Sequence, residues 1–401
     1  MTGAPMVHRG VVALAVAACL GCGGGDRWSL AGTGQRACYG TSGPAACPAP
    51  GAPLFGQDAQ HPGPDLRYSD NGDGTVTDLV TGLTWTRALG TKVTWEEARA
   101  RAGTLRVGGR SGWRLPSIGE LYSLIDFAGA FGPTADGSTP FIDTGAFEFA
   151  YAPDTGTLPG QRFFDVQVWS STEYVGRIMH GDEAVFGVNF ADGRIKAYPV
   201  LQPSPPGQPP GPPAVMYARF VAGNPAYGTA AYSAGADGTV RDEVRRLTWQ
   251  RADDGVQRTW ADALAYCEGL TLGGADDWRL PNAKELQSLV DYSRAPAVTG
   301  TAAIDPAFEV SNIESYAWSS TTLPDGPPDH LGVRAVYVAF GRALGWMEEP
   351  PGSGHWELLD VHGAGAQRGD LKEGDPADYP RGFGPQGDDV RVRNFARCVR
   401  P

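Results

Sequence analysis

The sequence predicts an α+β fold made of two tandem modules, each combining two short helices with a loop-rich antiparallel sheet. Two observations lead to this prediction. A Trp-Arg-Leu-Pro run followed by an amphipathic stretch occurs twice, at 113–125 and 278–290. Short Thr- and Val-rich segments surround both copies, and 56 Gly and 33 Pro among 401 residues are typical of short strands joined by turns.

The internal repeat extends well beyond this run. Residues of the same type recur at a nearly constant spacing along both halves of the chain, which indicates two homologous domains. The equivalent pairs are Trp95 and Trp260, Trp113 and Trp278, Glu120 and Glu285, Asp126 and Asp291, and the Trp-Ser-Ser-Thr runs at 169–172 and 318–321. We assign module 1 to residues 65–202 and module 2 to residues 214–401.

Each module has two predicted helices that begin at capping residues. A hydroxyl or amide side chain before the helix accepts a hydrogen bond from the first turn, and an acid three residues later favours the same start. The capping pairs are Thr94 with Glu97, Ser117 with Glu120, Thr259 with Asp262 and Asn282 with Glu285. Strands are predicted before these helices, around Trp85 and Trp249, and after them, around Val188 and Val338.

The N-terminus resembles a bacterial lipoprotein signal peptide spanning residues 1–22. His8 and Arg9 precede a short apolar run that ends in small residues before a cysteine. Cys19 is the favoured lipidation site and Cys22 the alternative, with ordinary secretion also possible. We therefore expect a protein of the cell envelope, facing the periplasm or the cell surface, that contacts the membrane only through an N-terminal lipid.

The four remaining cysteines are predicted to form two disulfides, because an exported chain folds in an oxidising compartment. Cys38 and Cys47 are close in sequence and would close a small loop. Cys267 and Cys398 would tie the first helix of module 2 to its end. A redox or metal-binding role is the alternative for these widely spaced residues.

Two Pro- and Gly-rich stretches are predicted to be spacers. Residues 23–64 contain the small disulfide loop, and residues 203–213 consist almost entirely of Pro, Gly, Gln and Ser. The second stretch is typical of a semi-rigid polyproline linker. We expect it to hold the two modules apart.

The composition excludes some classes of function. A net charge of −12 argues against nucleic-acid binding through a general basic surface. No nucleophile lies in a recognisable pattern with a base, so we expect no enzymatic activity and no cofactor.

Calcium is the one metal for which the sequence offers a candidate loop. Asn71, Asp73 and Thr75 alternate as oxygen ligands would, but position twelve, where a bidentate acid is needed, is Gly82. A tight Asp-Gly hairpin turn is the alternative that we favour. A second group of metal-ligand types lies in a stretch, 345–389, that only module 2 has, where a polar loop is the favoured alternative. Its members are His355, Glu357, Asp360 and His362.

Several motifs together resemble the Lcl C-terminal domain family, a group of exported bacterial domains named after the end of a collagen-like adhesin. The similar runs lie at 70–78, 81–85, 113–116, 169–172 and 390–400. The resemblance implies a fold like those of C-type lectins and sulfatase-modifying factors. It also implies binding of surface ligands, since the adhesin is implicated in attachment to sulfated glycosaminoglycans. Module 1 departs from the pattern, having Ala197-Tyr198-Pro199 near the point where module 2 has its Arg-Cys-Val-Arg ending.

The sequence and this resemblance suggest residues for ligand binding. Recurrent tryptophans can stack on sugars, neighbouring hydroxyls can donate hydrogen bonds, and arginines near the C-terminus can bind anions. The candidates are Trp169, Ser170, Ser171, Asn189, Trp318, Ser319, Ser320, Arg391 and Arg393. The alternatives are core packing for the tryptophans, bends in the strand for the serines, and a solvated strand face for the arginines.

These observations predict an exported, lipid-anchored, non-catalytic protein that binds a glycan or another surface ligand. Two alternatives belong to other classes of function. One is a structural envelope protein that engages other proteins, and the other is an enzyme like the formylglycine-generating enzymes.

Overall fold

The computed structural model describes Met1, residues 29–152 and 162–202, Ser204, and residues 209–350 and 352–401. Cys19 and Cys22, and with them the predicted lipidation site, lie outside these residues. The architecture is mixed, with few helices and several antiparallel sheets. Within the described residues, the structure contains no helix with the length and apolar character needed to cross a bilayer.

The N-terminal segment, residues 29–64, contains a two-stranded ribbon and one 3₁₀ turn, Asp58–Gln60. Module 1 follows with three short strands, two helices and four further strands. The elements are β1 (Cys38–Tyr39), β2 (Pro44–Ala45), β3 (Tyr68–Asp70), β4 (Thr75–Asp78), β5 (Thr84–Thr86), α1 (Trp95–Thr104), α2 (Ile118–Ser123), β6 (Gln167–Glu173), β7 (Ala184–Asn189), β8 (Arg194–Pro199) and β9 (Val221–Ala222).

Module 2 repeats this order and adds two strands and one short helix. Its elements are β10 (Tyr232–Ala234), β11 (Thr239–Asp242), β12 (Thr248–Gln250), α3 (Trp260–Glu268), α4 (Ala283–Gln287), α5 (Pro296–Thr299), β13 (Tyr316–Leu323), β14 (Arg334–Ala339), β15 (Leu344–Glu348), β16 (Trp356–Asp360), β17 (Gln367–Leu371) and β18 (Val399–Arg400). Short 3₁₀ turns occur at Pro328–His330 and Pro376–Asp378.

The predicted helix starts are confirmed. Thr94, Ser117 and Asn282 each accept a hydrogen bond from the amide of the acid three residues later, whose carboxylate in turn accepts from the capping residue's amide. Thr259 accepts from the amide of Asp262 in the same way. These side chains satisfy amides that lack a partner inside the helix, so the starts follow directly from the sequence.

A small four-stranded sheet opens each module, and its last strand comes from far along the chain. The strand orders are β3-β4-β5-β9 and β10-β11-β12-β18. Strand β9 lies beyond the Pro-rich stretch, at residues that the sequence analysis assigned to module 2. The boundary at residue 214 is therefore wrong, because Val221 and Ala222 pair with Trp85 and Thr84 of module 1.

A buried arginine just before the closing strand fixes the end of each module. Arg219 donates to the main-chain oxygens of Thr86, Arg87 and Glu148 at 2.6–3.0 Å. Arg397 makes the equivalent bonds in module 2, at 2.5–2.8 Å. The carbonyl acceptors there belong to Gln250, Arg251 and Glu309. Module 1 therefore has its own version of the Arg-Cys-Val-Arg ending, Arg219-Phe220-Val221-Ala222, and not the Ala197-Tyr198-Pro199 run.

The two modules share one six-stranded sheet, with the strand order β13-β14-β17-β8-β7-β6. Strand β8 of module 1 pairs with β17 of module 2 through Ile195 and Gln367, and the amide of Ala197 donates to His362 O at 2.8 Å. A continuous apolar core also crosses the joint, where Phe186 packs edge-on against Tyr292 with ring centroids 4.7 Å apart. The predicted separation of the modules by the Pro-rich linker is therefore wrong.

The N-terminal segment packs into the joint between the modules and is not the spacer that its composition predicted. Gln35 donates to the main-chain oxygens of Phe127 in module 1, at 3.4 Å, and Thr322 in module 2, at 2.9 Å. The buried Lys284 ammonium donates to Gly32 O and Ser123 O, both at 2.8 Å. Three parts of the chain meet there, so the segment contributes to the structure of both modules.

Both predicted disulfides are confirmed, joining Cys38 to Cys47 and Cys267 to Cys398. The second links helix α3 to the residue before β18, inside a cluster of fully buried side chains. Module 1 has Ala102 and Phe220 at the equivalent places and closes by packing alone. Disulfides of this kind are typical of exported proteins.

Replacing Cys267 and Cys398 by Ser should destabilise the protein more than replacing Cys38 and Cys47. The first pair is 131 positions apart and the second 9. The chain-entropy model then gives losses of roughly 3–5 and 2–3 kcal/mol in the free energy of unfolding. Urea denaturation of the two double variants measures both values. Equal losses would contradict this assignment of their roles.

Substituting Arg397→Lys should lower the free energy of unfolding by about 2–3 kcal/mol, because an ammonium cannot reach three carbonyl oxygens as the guanidinium fork does. Arg219→Lys is the matched variant, and we expect a loss of similar size. Thermal and urea unfolding of both variants tests the equivalence of the two arginines. A loss below about 0.5 kcal/mol in either variant, the range of ordinary surface substitutions, would rule it out.

Candidate functional site

A cavity of about 210 Å³, lined by both charged and aromatic side chains, opens where the two modules join. Strands β8, β14 and β17 contribute Arg194, Lys196, Tyr198, Arg334 and Arg368 to its wall. Loops on both sides complete it. The remaining lining residues are Phe131, Gly132, Pro133, Arg162, Phe164, Gln167, Asn189, Asp192, Asp325, Gly326, Phe383, Gly384, Pro385, Gln386 and Asp388.

Alternation along β8 places its cationic residues in this wall. Arg194, Lys196 and Tyr198 line the cavity, while Ile195 and Ala197 between them are completely buried in the core. Successive side chains of a strand point to opposite faces, so this sequence segregates apolar and cationic groups. The pairing with β17 then brings Arg368 of module 2 to the same wall.

The arginines of the cavity are held by carboxylates. Asp325 accepts from Arg194 at 2.5 Å and from Arg334 at 3.4 Å, so one acid bridges the two modules. Arg368 pairs with Asp388 at 2.6 Å. Burial alone would raise the pKa of Asp388, but Arg368, His362 and Arg194 together outweigh burial and lower it. These pairs fix the guanidinium groups in place, as buried charges require.

His362 lies directly behind this ion pair and orients it. Its Nε2 is 2.9 Å from the second carboxylate oxygen of Asp388, and the ring is completely buried. Burial lowers the pKa of His362 to about 4, with the nearby Arg368 charge acting in the same direction. The imidazole is therefore neutral at physiological pH and positions Asp388 without adding charge to the cavity.

Lys196 differs from the other cationic groups in the cavity. Its side chain is 8 % exposed, and its ammonium has no hydrogen-bond or ion-pair partner among the residues that the structure describes. The centroid of the Tyr198 ring lies 4.7 Å from its Nζ. Burial and the nearby Arg368 charge lower the pKa of Lys196 to about 7, although the charges of Asp388 and Asp192 act in the opposite direction. A buried ammonium without a partner is costly, so this position is suited to an anionic ligand.

Aromatic rings form the walls beside these charges. Arg334 stacks on Phe383 at 3.5 Å and Arg162 stacks on Phe164 at 4.4 Å, measured from Cζ to the ring centroid. Phe131 packs edge-on against Phe164 at 5.2 Å. Of the described residues, five cationic and three acidic side chains line the cavity. A cationic, aromatic-walled cavity in a chain of net charge −12 favours a ligand with one anionic group and an apolar face.

One of the ligand-binding residues proposed from the sequence, Asn189, lines this cavity. Its amide donates to Phe164 O at 2.9 Å, and its oxygen accepts from the amide of Ala191 at 3.1 Å. Those two bonds fix the side chain in the wall of the cavity.

Both tryptophans and three of their neighbouring serines, Ser170, Ser319 and Ser320, are buried in the modules, whereas Ser171 is exposed. Trp169 and Trp318 are completely buried, and their indole N–H groups donate to Val93 O and Arg258 O. The serine after each tryptophan donates its hydroxyl to the neighbouring strand, Ser170 to Phe186 O and Ser319 to Val336 O. The next serines, Ser171 and Ser320, donate their amides to Pro116 O and Pro281 O. None of these six side chains lines the cavity.

Arg391 and Arg393 do not share a strand face. The residue between them, Val392, has a φ of +62°, which bends the chain. Arg391 is half-buried, with Cζ 3.4 Å from the centroid of the Tyr316 ring and Nε 2.9 Å from Asp389. Arg393 is exposed. The structure therefore does not bring the two guanidinium groups together as one anion site.

The candidate calcium residues form a turn closed by its own side chains. The Asp73 carboxylate accepts from the amide and hydroxyl of Thr75 at 3.0 and 2.6 Å, and Asn71 donates to the same hydroxyl at 2.8 Å. Asp237 and Thr239 repeat this arrangement in module 2. These bonds match the Asp-Gly turn that the sequence favoured.

The histidines and acids between β15 and β17 do not converge either. His355 lies near Glu357, Asp360 accepts from Tyr174, and His362 bonds to Asp388. Over the described ranges, no three His, Cys, Asp or Glu side chains come close enough to hold a metal ion.

Comparison with known families assigns the two modules. The model of the Lcl C-terminal domain matches residues 74–204 and again residues 238–349, which together make up more than half of the chain. The chain belongs to the Lcl C-terminal domain family. No curated protein and no solved structure matches the sequence. Membership of the Lcl C-terminal domain family and the two disulfides indicate a surface or envelope protein.

The matched ranges cover only part of the cavity. Arg194, Lys196 and Arg334 lie inside them, whereas Arg368 and the loop from 383 to 388 lie beyond the second Lcl C-terminal domain match. The cavity is therefore completed by residues outside the part of the chain that matches the family.

Sequence reasoning missed the charged groups of this cavity. The alternation Arg194-Ile195-Lys196-Ala197-Tyr198 was a usable signal for a strand with one cationic face. Arg368 and the loop from 383 to 388 complete the cavity on that face. They belong to the stretch 345–389, which the sequence analysis interpreted as a polar insertion.

Proposed function

We propose that this protein is a non-catalytic binding protein of the cell envelope that takes an anionic saccharide group in the cavity between its modules. The observation that carries the proposal is the unpaired Lys196 ammonium in that cavity. The arginines around it already have carboxylate partners, so Lys196 is the group with a charge left to neutralise. A carboxylate or sulfate bound there would form a charge-assisted hydrogen bond.

The aromatic walls support a saccharide as the carrier of the anion. The rings of Phe131, Phe164, Tyr198 and Phe383 offer apolar surface beside the cations. A sugar ring has an apolar face of C–H groups and a polar edge, and such ligands need both kinds of surface. A cavity of about 210 Å³ admits a single substituted ring or chain end better than a long internal stretch.

The proposal also includes the predicted lectin-like fold, the lipid anchor and the use of both modules. Each module would be a variant of the C-type lectin-like fold, supported by its two short helices, antiparallel sheet and long loops. The lipid attached near residue 19 would hold the protein at the membrane. The two modules would act as one receptor with a shared site, because the cavity needs strands from both.

Replacing Lys196 by Gln should weaken the binding of a sulfated or carboxylated polysaccharide by about tenfold or more, which corresponds to roughly 1.4 kcal/mol. The full chain is titrated with dextran sulfate, polygalacturonate and uncharged dextran at fixed ionic strength. Lys196→Arg should restore much of the affinity. Lys92→Gln is the matched control, because the Lys92 ammonium also lies near a tyrosine ring, that of Tyr217, but outside the cavity. Equal affinity for dextran and both charged polymers, or full affinity in Lys196→Gln, would contradict the proposal.

Binding of the charged polysaccharide should be strongest below pH 7 and fall above it. The pKa of Lys196 is about 7, so its ammonium is mostly charged below that pH and mostly neutral above it. Asp388, whose pKa is lowered, keeps its negative charge over the same range. Affinity should therefore fall by up to about tenfold per pH unit once Lys196 has lost its proton. A dissociation constant measured between pH 5.5 and 9 tests this. Lys196→Arg should flatten the profile, and an unchanged slope in that variant would exclude Lys196 as the cause.

A further inference from the structure

One surface is covered in module 2 and open in module 1, and the internal repeat identifies which residues are equivalent in the two. This surface lies where β6 and β13 each have an irregular register, between Trp169 and Glu173 and between Trp318 and Thr322. In module 2 the end of the strand, Ser320 to Thr322, is buried. In module 1 Ser171 and Glu173 at the equivalent positions are exposed.

The N-terminal segment is what covers the surface of module 2. The Gln35 side chain makes two bonds to the main chain of Thr322, both of 2.9 Å. The Asp58 carboxylate accepts from the Thr321 hydroxyl at 2.5 Å. Trp260 at the start of α3 is completely buried. In module 2, this surface therefore binds a segment of the chain through its polar side chains.

The equivalent surface of module 1 is an open groove of about 360 Å³, which we call the Trp95 groove. Trp95, the counterpart of Trp260, is only half-buried. Val175 and Leu201 are about 40 % exposed, which is high for large apolar residues. The residues that define the groove are Trp95, Glu96, Glu173, Val175, Arg177, Glu183 and Leu201.

The charge of the groove indicates what it binds. Glu96 and Glu173 occupy the positions of the neutral residues Ala261 and Thr322 in module 2. Glu183 adds a third carboxylate and is paired with Arg177 at 2.7 Å. Glu96 lies 3.7 Å from Arg99, whose guanidinium stacks on the Trp95 ring at 4.5 Å. Glu173 has no ion-pair partner among the described residues. The neutral surface of module 2 binds a segment through Gln and Asp side chains. The more acidic Trp95 groove would therefore bind a segment that has cationic side chains at the equivalent places.

We propose that the Trp95 groove is a docking site for an extended, basic segment of another envelope protein. An arginine or lysine side chain of that segment would pair with Glu173, and apolar side chains would lie beside Trp95 and on Val175 and Leu201. The occupant is a different protein, because this chain's own N-terminal segment already covers module 2 and carries few cationic residues between 29 and 64. The groove is separate from the cavity between the modules.

The test uses labelled peptides of about ten residues and the full chain, with binding followed by fluorescence anisotropy at about 0.15 M salt. In the first peptide Arg alternates with Val, in the second Glu replaces Arg, and in the third Ser replaces Val. We expect saturable binding of the first peptide and at least about tenfold weaker binding of the other two, since both charge and apolar contact contribute.

Two variants of the groove and one control locate the site. Glu173→Lys and Trp95→Ala should each weaken the Arg/Val peptide by about tenfold or more. Asp276→Lys makes the same change of charge on an exposed loop of module 2 and should leave its affinity within about twofold. Glu173→Lys should leave binding of dextran sulfate in the other site unchanged.

Two results would overturn the proposal. One is the absence of saturable binding, or equal weakening in Glu173→Lys and Asp276→Lys, which would show only a general attraction between a basic peptide and an acidic protein. The other is a dimer in sedimentation that Glu173→Lys dissociates, since a second copy of this chain would then occupy the groove.

Discussion

The pairing of β8 with β17 is the constraint on which the rest of the structure depends. It converts two homologous sheets into one, and it forces the cationic side chains of both strands to the same side. Arg194 and Arg368 could not be buried there without carboxylates, and Asp325 and Asp388 supply them. The ion pairs in turn tie loops of both modules to the joint. Lys196, at the centre of this arrangement, is left without such a partner.

The N-terminal segment breaks the symmetry between the repeats. It reaches both modules through Gln35 and through the buried Lys284, but it covers the strand end of module 2 alone, where Ser320 to Thr322 are buried. The two copies of the Trp-Ser-Ser-Thr motif therefore have different surroundings. The copy in module 2 binds the N-terminal segment, which also contacts module 1, and the copy in module 1 borders the open Trp95 groove. Such a division is a physical reason for a chain to carry the same domain twice.

Much of the local structure could be predicted from the sequence, while the joint could not. Caps such as Ser117 with Glu120, the Asp73 turn and both disulfides depend on residues whose chemistry is visible in short runs. The strand β9 was missed because Phe220 replaces the cysteine that marks the equivalent strand of module 2. The cavity was missed because β17 lies inside an insertion, and pairing between distant strands leaves no periodic signal in either one.

The closing strands β9 and β18 also affect the order in which parts of the protein can fold. Strand β12 pairs with β18, and Cys267 joins Cys398, 131 positions further on. Strand β8 likewise can pair with β17 only after the chain has been delivered beyond residue 371. During export, which delivers a chain from its N-terminus onward, these edges are made long before their partners arrive. Contacts of such high sequence separation form slowly, and unpaired strand edges invite association with other chains. The chain is therefore most open to such association before β17 and β18 have formed.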